Sequence, residues 1–283
     1  MFRIPLGVYF EILIDWLKKN GKPFFVGMKK GVLFIIDKLE EFLIFIPWWL
    51  FIIVIVLVAW KVSGKKLAIL SGLGLSIIYS IDLWNKMLET LALVFSSTML
   101  ALLVGIPLGI WMAKKDMTAR IIKPVLDFMQ TMPAFVYLIP SVIFFGLGKM
   151  PGAIATIIFS MPPVVRLTNL GIRQVPHDVV EAAESFGSTP LQMLFKVQVP
   201  LAMPTILAGI NQTIMLSLSM VVISSMIGAR GLGEVVLSGV TQMQIGKGFE
   251  GGIAVVILAI ILDGMTQSIG KKANCKQSHR KSK

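Results

Sequence analysis

The chain has 283 residues, of which 55% are hydrophobic and 15% are charged. Soluble globular proteins carry about 25% charged residues, and the mean hydropathy here is +0.82. This composition excludes an ordinary soluble domain and predicts an all-α polytopic membrane protein. The net charge of +12 is typical of basic loops on the cytoplasmic side of a membrane. No base-reading motif accompanies that charge, so nucleic-acid binding is not expected.

The N-terminal segment, residues 1–41, has apolar residues at helical spacing with charges between them. It predicts amphipathic helices that lie at the membrane interface or pack on the membrane domain, and the sequence leaves both alternatives open. Seven apolar stretches follow, each close to the ~20 residues that a membrane-spanning helix needs. They are residues 42–60, 67–83, 91–113, 125–147, 153–170, 201–226 and 251–269.

Proline and glycine predict irregularities in several of these spans. A kink is expected near Pro107 in the third span. Interruptions are expected at Pro133 and Pro140 in the fourth, and a break at Pro162 and Pro163 in the fifth. Residues 227–250 are glycine-rich and predict a loop with one short helix, and the basic tail, residues 271–283, is expected to be unstructured.

Lysine and arginine are distributed unevenly between the loops. Segments 61–66, 114–123 and 271–283 carry three, four and six, whereas segments 84–90, 148–152 and 227–250 carry one, one and two. The basic set is therefore predicted to be cytoplasmic. Seven spans then place the N-terminus outside, and an even number with the N-terminus inside is the alternative.

Residues 171–200 form a polar segment between two apolar stretches, on the predicted cytoplasmic side. Pro176 precedes a first short helix, Gly187 is a natural stop, and Ser188 or Thr189 can cap a second helix that begins at Pro190. Both helices have an apolar side, formed by Val179, Ala183 and Phe186 in the first and by Leu191, Leu194 and Phe195 in the second. Such a pair is too small to bury a core of its own, so a partner is expected to cover it.

Sites for covalent or metal chemistry are not evident. The sequence has no P-loop, and its two histidines and one cysteine do not form a zinc pattern. We therefore expect no catalytic residue, no metal and no cofactor bound by this chain.

The polar segment also matches a known signature. Glu181, Ala182 and Ala183 are followed after three residues by Gly187, and after nine more by Val197-Gln198-Val199-Pro200. This resembles the EAA motif of ABC-importer permeases, with valine in place of the usual isoleucine and leucine. Residues 133–267 more broadly resemble the glycine betaine/proline betaine permease family.

The resemblance implies a type I ABC-importer permease fold of about seven transmembrane helices, in the bacterial cytoplasmic membrane. Its coupling helix would dock on a separate ATPase subunit, present in two copies, which binds ATP and magnesium. The residues implied in coupling are Glu181, Ala182, Ala183, Gly187, Pro190 and Pro200. A second permease copy and an extracytoplasmic solute-binding protein complete the implied assembly. The corresponding division is 1–41 interfacial, 42–84 accessory helices, 85–270 permease core and 271–283 tail.

The implied substrate is a quaternary-ammonium osmoprotectant such as glycine betaine or proline betaine. Candidate path residues are Asn211, Gln212 and Thr213, because polar groups inside a span are costly in lipid, and Phe135 and Tyr137, because aromatic rings attract quaternary ammonium groups. Interhelical hydrogen bonding and simple packing are the respective alternatives. A permease for choline, carnitine or proline, a secondary transporter and an osmosensing channel stay open as other functions.

Overall fold

The computed structural model describes residues 6–281, so residues 1–5 and 282–283 of the predicted terminal segments lie outside it. Within the described range all regular structure is helical, which confirms the all-α fold class. The helices are α1 Leu6–Asn20, α2 Lys22–Phe45, α3 Trp48–Ser63, α4 Lys65–Ser80, α5 Trp84–Lys114, α6 Asp116–Thr131, α7 Ala134–Phe145, α8 Lys149–Arg173, α9 His177–Ser185, α10 Pro190–Gln192, α11 Val199–Ser225, α12 Leu232–Thr241 and α13 Ile245–Lys281. A π-helical turn, Met193–Gln198, joins α10 to α11.

Helices α5, α8 and α11 form the centre of the fold, with α8 packed between the other two. Glycines bring the backbones of α5 and α8 together. A β-carbon at Gly105 would lie 2.6 Å from Val164, and one at Gly109 would lie 2.6 Å from Thr168. Small residues at helix contacts are typical of membrane bundles, where close backbone approach replaces the hydrophobic effect as the source of stability.

The described residues contain four helices that are long and apolar enough to cross a membrane, or six if two bent pairs each count as one span. The four are α5, α8, residues Pro190–Ser225 and the part of α13 up to Gly270. The predicted second span appears as α4, whose 16 residues fall short of the ~20 that a bilayer requires. A multi-pass membrane protein is confirmed, but the count falls below the predicted seven.

Two predicted spans are not single helices. The chain turns by 101° between α2 and α3, and by 101° between α6 and α7. The prediction that residues 42–60 form one continuous span is therefore wrong, whereas the interruption predicted at Pro133 in span 125–147 is confirmed. The cause is the same in both, because Pro47 and Pro133 force the preceding Ile46 and Met132 into extended conformations, with ψ of 123° and 133°.

The break predicted at Pro162 and Pro163 is wrong, because α8 is continuous through both residues. Both prolines are buried between neighbouring helices, and such packing allows a helix within a membrane bundle to retain proline. Helix α7 likewise continues past Pro140. Helix α5 is continuous through Pro107, where the kink stays a prediction. Only Pro133, among the interruptions predicted in the fourth span, ends a helix.

The N-terminal helix α2 packs on the core through one face, where Val32 and Ile36 join Leu93 and Phe145. Lys149, at the start of α8, pairs with Glu40 and lies 3.5 Å from Asp37. The opposite face of α2 exposes Phe24 and Phe34. Packing of α2 on the membrane domain, one of the two alternatives that the sequence left open, is therefore observed, and interfacial contact of the exposed side chains stays a prediction.

The last third of the fold confirms the short helix in the glycine-rich loop, which is α12. Its first residue, Leu232, donates its backbone N–H to Thr90 of α5 at 2.7 Å, and Glu234 pairs with Lys86 at 2.7 Å. The prediction of an unstructured tail is wrong as far as Lys281, where α13 ends. Alanine, lysine, arginine and glutamine in this stretch have high helix propensity and extend the preceding helix.

Candidate functional site

The EAA motif lies on α9, which starts directly after Pro176. Glu181 is on the second turn of this helix, and its side chain is 65% exposed and 2.9 Å from Nδ1 of His177. Ala182 is exposed and Ala183 is partly buried. The carboxylate of Glu181 is thus presented to solvent one turn from a histidine of its own helix, in a position that a partner can reach.

Gly187 ends α9 in the left-handed conformation, with φ of +76°. The N–H of Gly187 donates to the carbonyl of Glu184 at 2.8 Å, and that of Ser188 donates to Ala183 at 3.1 Å. This pair of bonds is a Schellman motif, and it confirms the stop predicted at Gly187. A β-carbon at Gly187 would meet no atom within 4 Å, so backbone conformation, and not local crowding within the chain, requires glycine here.

Thr189 caps the second short helix and Pro190 is its first residue, as predicted. The Thr189 hydroxyl accepts from the N–H of Gln192 at 3.4 Å, and the N–H of Thr189 donates to the Gln192 side chain at 2.9 Å. This reciprocal capping box fixes the direction in which the chain leaves the turn at Gly187.

Pro200 lies in the first turn of α11, immediately after the π-helical turn. Proline has no N–H to donate to the carbonyl four residues back, and its ring crowds that carbonyl. A widened turn just before Pro200 accommodates both effects. Within this turn Met193 and Leu194 are buried, and Leu194 packs with Ile172 at the end of α8.

The loop between α8 and α11 exposes four large apolar side chains, Val179, Phe186, Leu191 and Phe195, which we call the coupling surface. Phe186 is 91% exposed, Leu191 66% and Phe195 61%. Several large apolar side chains exposed together on one short, ordered loop are typical of a surface that a protein partner covers. Of the predicted apolar face on α9, Ala183 alone turns partly inward.

The base of this loop is held by Arg173, a residue that the sequence analysis did not select. Its Nε donates to Asn169 at 3.0 Å, and its Nη2 donates to the carbonyl of Met112 at 2.8 Å and lies 2.7 Å from Asp116. Asp116 is the first residue of α6. It is the one acidic residue among the basic residues of segment 114–123. An isolated acidic residue in a basic loop is the feature of the sequence that could have indicated an ion pair with Arg173.

The three polar candidates on α11 separate in the structure. Asn211 donates to Asp263 of α13 at 3.0 Å and accepts from Thr266. Thr213 is buried and donates to the Gly209 carbonyl at 2.9 Å. Gln212 is exposed. Consecutive residues on a helix point about 100° apart, so these three side chains do not form one site.

The two aromatic candidates on α7 also lie on different faces. Tyr137 is buried, donates its hydroxyl to the Met129 carbonyl and packs against Phe159 with ring centroids 6.3 Å apart. Phe135 is 53% exposed. They do not form an aromatic cage within this chain.

Comparison with known proteins places this architecture in context. The pattern of the family described as "Binding-protein-dependent transport system inner membrane component" matches residues 105–274. The chain is 54% identical over 274 residues to the Listeria monocytogenes glycine betaine/carnitine transport permease protein GbuB, covering 95% of this chain and 97% of that protein. It is 48% identical over 277 residues to the Escherichia coli glycine betaine/proline betaine transport system permease protein ProW, covering 98% of this chain and 78% of ProW.

The Bacillus subtilis glycine betaine transport system permease protein OpuAB is 50% identical over 270 residues, covering 95% of this chain and 96% of that protein. Among solved structures, a chain of the inward-facing MetNI methionine ABC transporter superposes with a TM-score of 0.62 at 19% identity. It covers 68% of this chain and 95% of its own length. That likeness shows the type I importer fold. The chain belongs to the inner-membrane permease components of binding-protein-dependent ABC transport systems.

Proposed function

We propose that this protein is the membrane-spanning subunit of an ATP-driven importer for quaternary-ammonium osmoprotectants such as glycine betaine and proline betaine. The coupling surface carries the proposal, because an ordered, exposed apolar loop on a permease fold needs a partner that moves it. The printed names of the relatives supply the substrate class. Carnitine, choline or proline is the runner-up substrate, and GbuB is named for carnitine as well as glycine betaine.

The ATPase is proposed to be a separate subunit in two copies, which binds ATP and magnesium, while this chain binds no cofactor. Glu181, Ala182 and Ala183 on α9, the turn at Gly187 and Pro190, and Pro200 at the anchor would transmit its movement. The side chains at the turn, Phe186 and Leu191, would enter a groove on the ATPase. Burial of each such side chain contributes about 1.5–3 kcal/mol.

A second copy of this chain is the proposed partner within the membrane. Helix α11 exposes Ala208, Gln212 and Ser219, which are four and seven residues apart and so share one face. Small and polar residues facing lipid are costly, whereas the same residues between two helices or beside a water-filled path are favourable. We therefore propose that Gln212 faces the path at the dimer interface, with Asn211 and Thr213 in supporting positions. Phe135 and Tyr137 are retained as weaker path candidates.

The distribution of basic residues supports a bacterial cytoplasmic membrane location, with the coupling loop and C-terminus inside. The proposed N-terminus is outside, which requires the short helix α4 to cross as a seventh span beside the six counted above. A solute-binding protein would then deliver substrate to the outer side. The ion pair between Lys149, in an outer segment, and Glu40 of α2 is consistent with an external N-terminal region.

Uptake of radiolabelled glycine betaine into proteoliposomes tests this function. The four arms contain the permease with the ATPase, ATP and binding protein together, and with each one omitted in turn. We expect uptake only when all are present. Uptake that persists without the ATPase would instead indicate a secondary transporter or a channel.

A further inference from the structure

A second site lies far from the coupling surface, where α1, α2 and the end of α7 enclose a cavity of about 550 Å³. Four lysines line it, Lys18, Lys19, Lys22 and Lys29, against a single acidic residue, Asp15. Their spacing of three, four and seven residues places them on one continuous side of the α1–α2 segment. The cavity is therefore strongly cationic, and its lysines all lie N-terminal to the family region of residues 105–274, which contributes Phe144 to the wall.

The wall of the cavity is rigid and apolar. Phe25 of α2 stacks on Phe144 of α7, with ring centroids 4.4 Å apart and planes inclined by 21°. Lys29 donates its ammonium to the carbonyl of Phe145 at 2.8 Å, at the C-terminal end of α7. All four lysines are exposed, and Lys29 is the one whose ammonium group is held by this hydrogen bond to α7.

The orientation of α2 places this cavity at the membrane surface. Helix α3 is apolar from Trp48 to Trp60, and the chain turns by 101° between α2 and α3. An α3 that crosses the membrane therefore leaves α2 lying along the interface. Trp16 and Phe24, both exposed, flank the lysine side. Aromatic rings beside lysines are the arrangement of interfacial helices that contact both acyl chains and headgroups.

From these features we propose that the α1–α2–α7 cavity binds the headgroup of an anionic phospholipid. Its phosphate would contact the ammonium groups of Lys18, Lys19 and Lys22, and its acyl chains would follow the exposed aromatic side chains. Bound lipid would brace α2 against the α7–α8 turn, which Lys29 and Lys149 already contact. A free anion without acyl chains would contact the lysines but would leave the exposed aromatic side chains uncovered.

The test is native mass spectrometry of the full-length chain released from nanodiscs that contain phosphatidylglycerol and phosphatidylcholine. The variant K18Q/K19Q/K22Q removes three of the four lysine charges of the cavity. The control K30Q/K38Q removes two exposed lysines of α2 that do not line the cavity. Each lysine in contact with the anionic headgroup is expected to contribute about fivefold in affinity. The cavity variant should therefore lose roughly 100-fold of its preference for phosphatidylglycerol over phosphatidylcholine, and the control should lose little.

Equal retention of phosphatidylglycerol by the cavity variant would overturn the proposal. So would complete displacement of the lipid by millimolar inorganic phosphate, since the ligand would then be a free anion. Loss of binding-protein docking with lipid retention unchanged would assign the lysines to a protein contact instead. If the triple variant does not insert into the membrane, the lipid preference of the wild-type chain is compared with that of the single variant K22Q. The preference must fall as KCl is raised, because exposed charges are screened, and K22Q must lower it about fivefold.

Discussion

The guanidinium of Arg173, the last residue of α8, lies 2.7 Å from the carboxylate of Asp116, the first residue of α6. The same side chain also contacts Asn169 and the Met112 carbonyl. One residue therefore joins the base of the coupling loop to the junction between α5 and α6. In the proposed coupling, a movement of the loop would therefore be transmitted by Arg173 to both α5 and α6.

The first prediction is that Arg173→Gln uncouples transport more than Asp116→Asn does. Glutamine at 173 abolishes contacts to three groups, and a hydrogen bond to a charged group contributes about 1.5–3 kcal/mol. Asparagine at 116 removes only an ion pair whose side chains are 37% and 76% exposed, and solvent screens an exposed pair of this kind. The measurement is betaine transported per ATP hydrolysed in proteoliposomes. Equal ratios for the two variants would contradict a positioning role for Arg173.

Gly187 provides a second prediction, because its φ of +76° disfavours any residue with a β-carbon. Gly187→Ala should destabilise the loop by about 1–2 kcal/mol and lower uptake several-fold. Gly187→Asn should be milder, since asparagine tolerates the left-handed region. Gly31→Ala is the matched control, in open space on the helical segment α2, and should leave uptake unchanged. Uptake by G187A at the G31A level would show that the conformation is not required.

Thr189 tests the capping box. Thr189→Ala removes the side-chain acceptor for the Gln192 N–H, which costs about 1 kcal/mol in helix stability. Thr189→Ser keeps the hydroxyl and should behave as wild type. Hydrogen exchange over residues 190–198 measures the effect, and faster exchange is expected in T189A alone. Equal protection in both variants would show that the cap is dispensable.

Asn211 and Gln212 are neighbours in sequence, but we expect substitution of Asn211 to lower stability and substitution of Gln212 to impair transport. Asn211→Leu leaves the Asp263 carboxylate without one of its donors and should lower the melting temperature of the purified subunit with little effect on KM. Gln212→Leu should keep the melting temperature and raise the KM for transport. A raised KM in Asn211→Leu together with a lowered melting temperature in Gln212→Leu would instead indicate that the path lies on the Asn211 side of α11.

The sequence predicted the loop better than it predicted the membrane helices. The stop at Gly187, the cap at Thr189 and the helix start at Pro190 follow from local backbone preferences. The residues of the loop alone are therefore enough to predict where its helices end and begin. Pro133 and Pro162 look alike in the sequence, yet one ends a helix and the other lies within one. The difference arises from α5 and α11, which pack around α8 and which no local pattern describes. Arg173 was missed for the same reason, because Met112 and Asp116 are distant in sequence.

The most direct measurement of the central claim is the affinity of the cognate ATPase subunit for the permease in nanodiscs. The test variant F186D/L191D changes two side chains of the coupling surface. The control M243D changes a methionine that is 87% exposed on the turn between α12 and α13. Burial of one such apolar side chain contributes about 1.5–3 kcal/mol, and about 1.4 kcal/mol is tenfold in affinity. F186D/L191D should therefore bind the ATPase more than tenfold more weakly than wild type, and M243D should bind as wild type does. Undiminished binding by F186D/L191D, or an equal loss in M243D, would contradict the account.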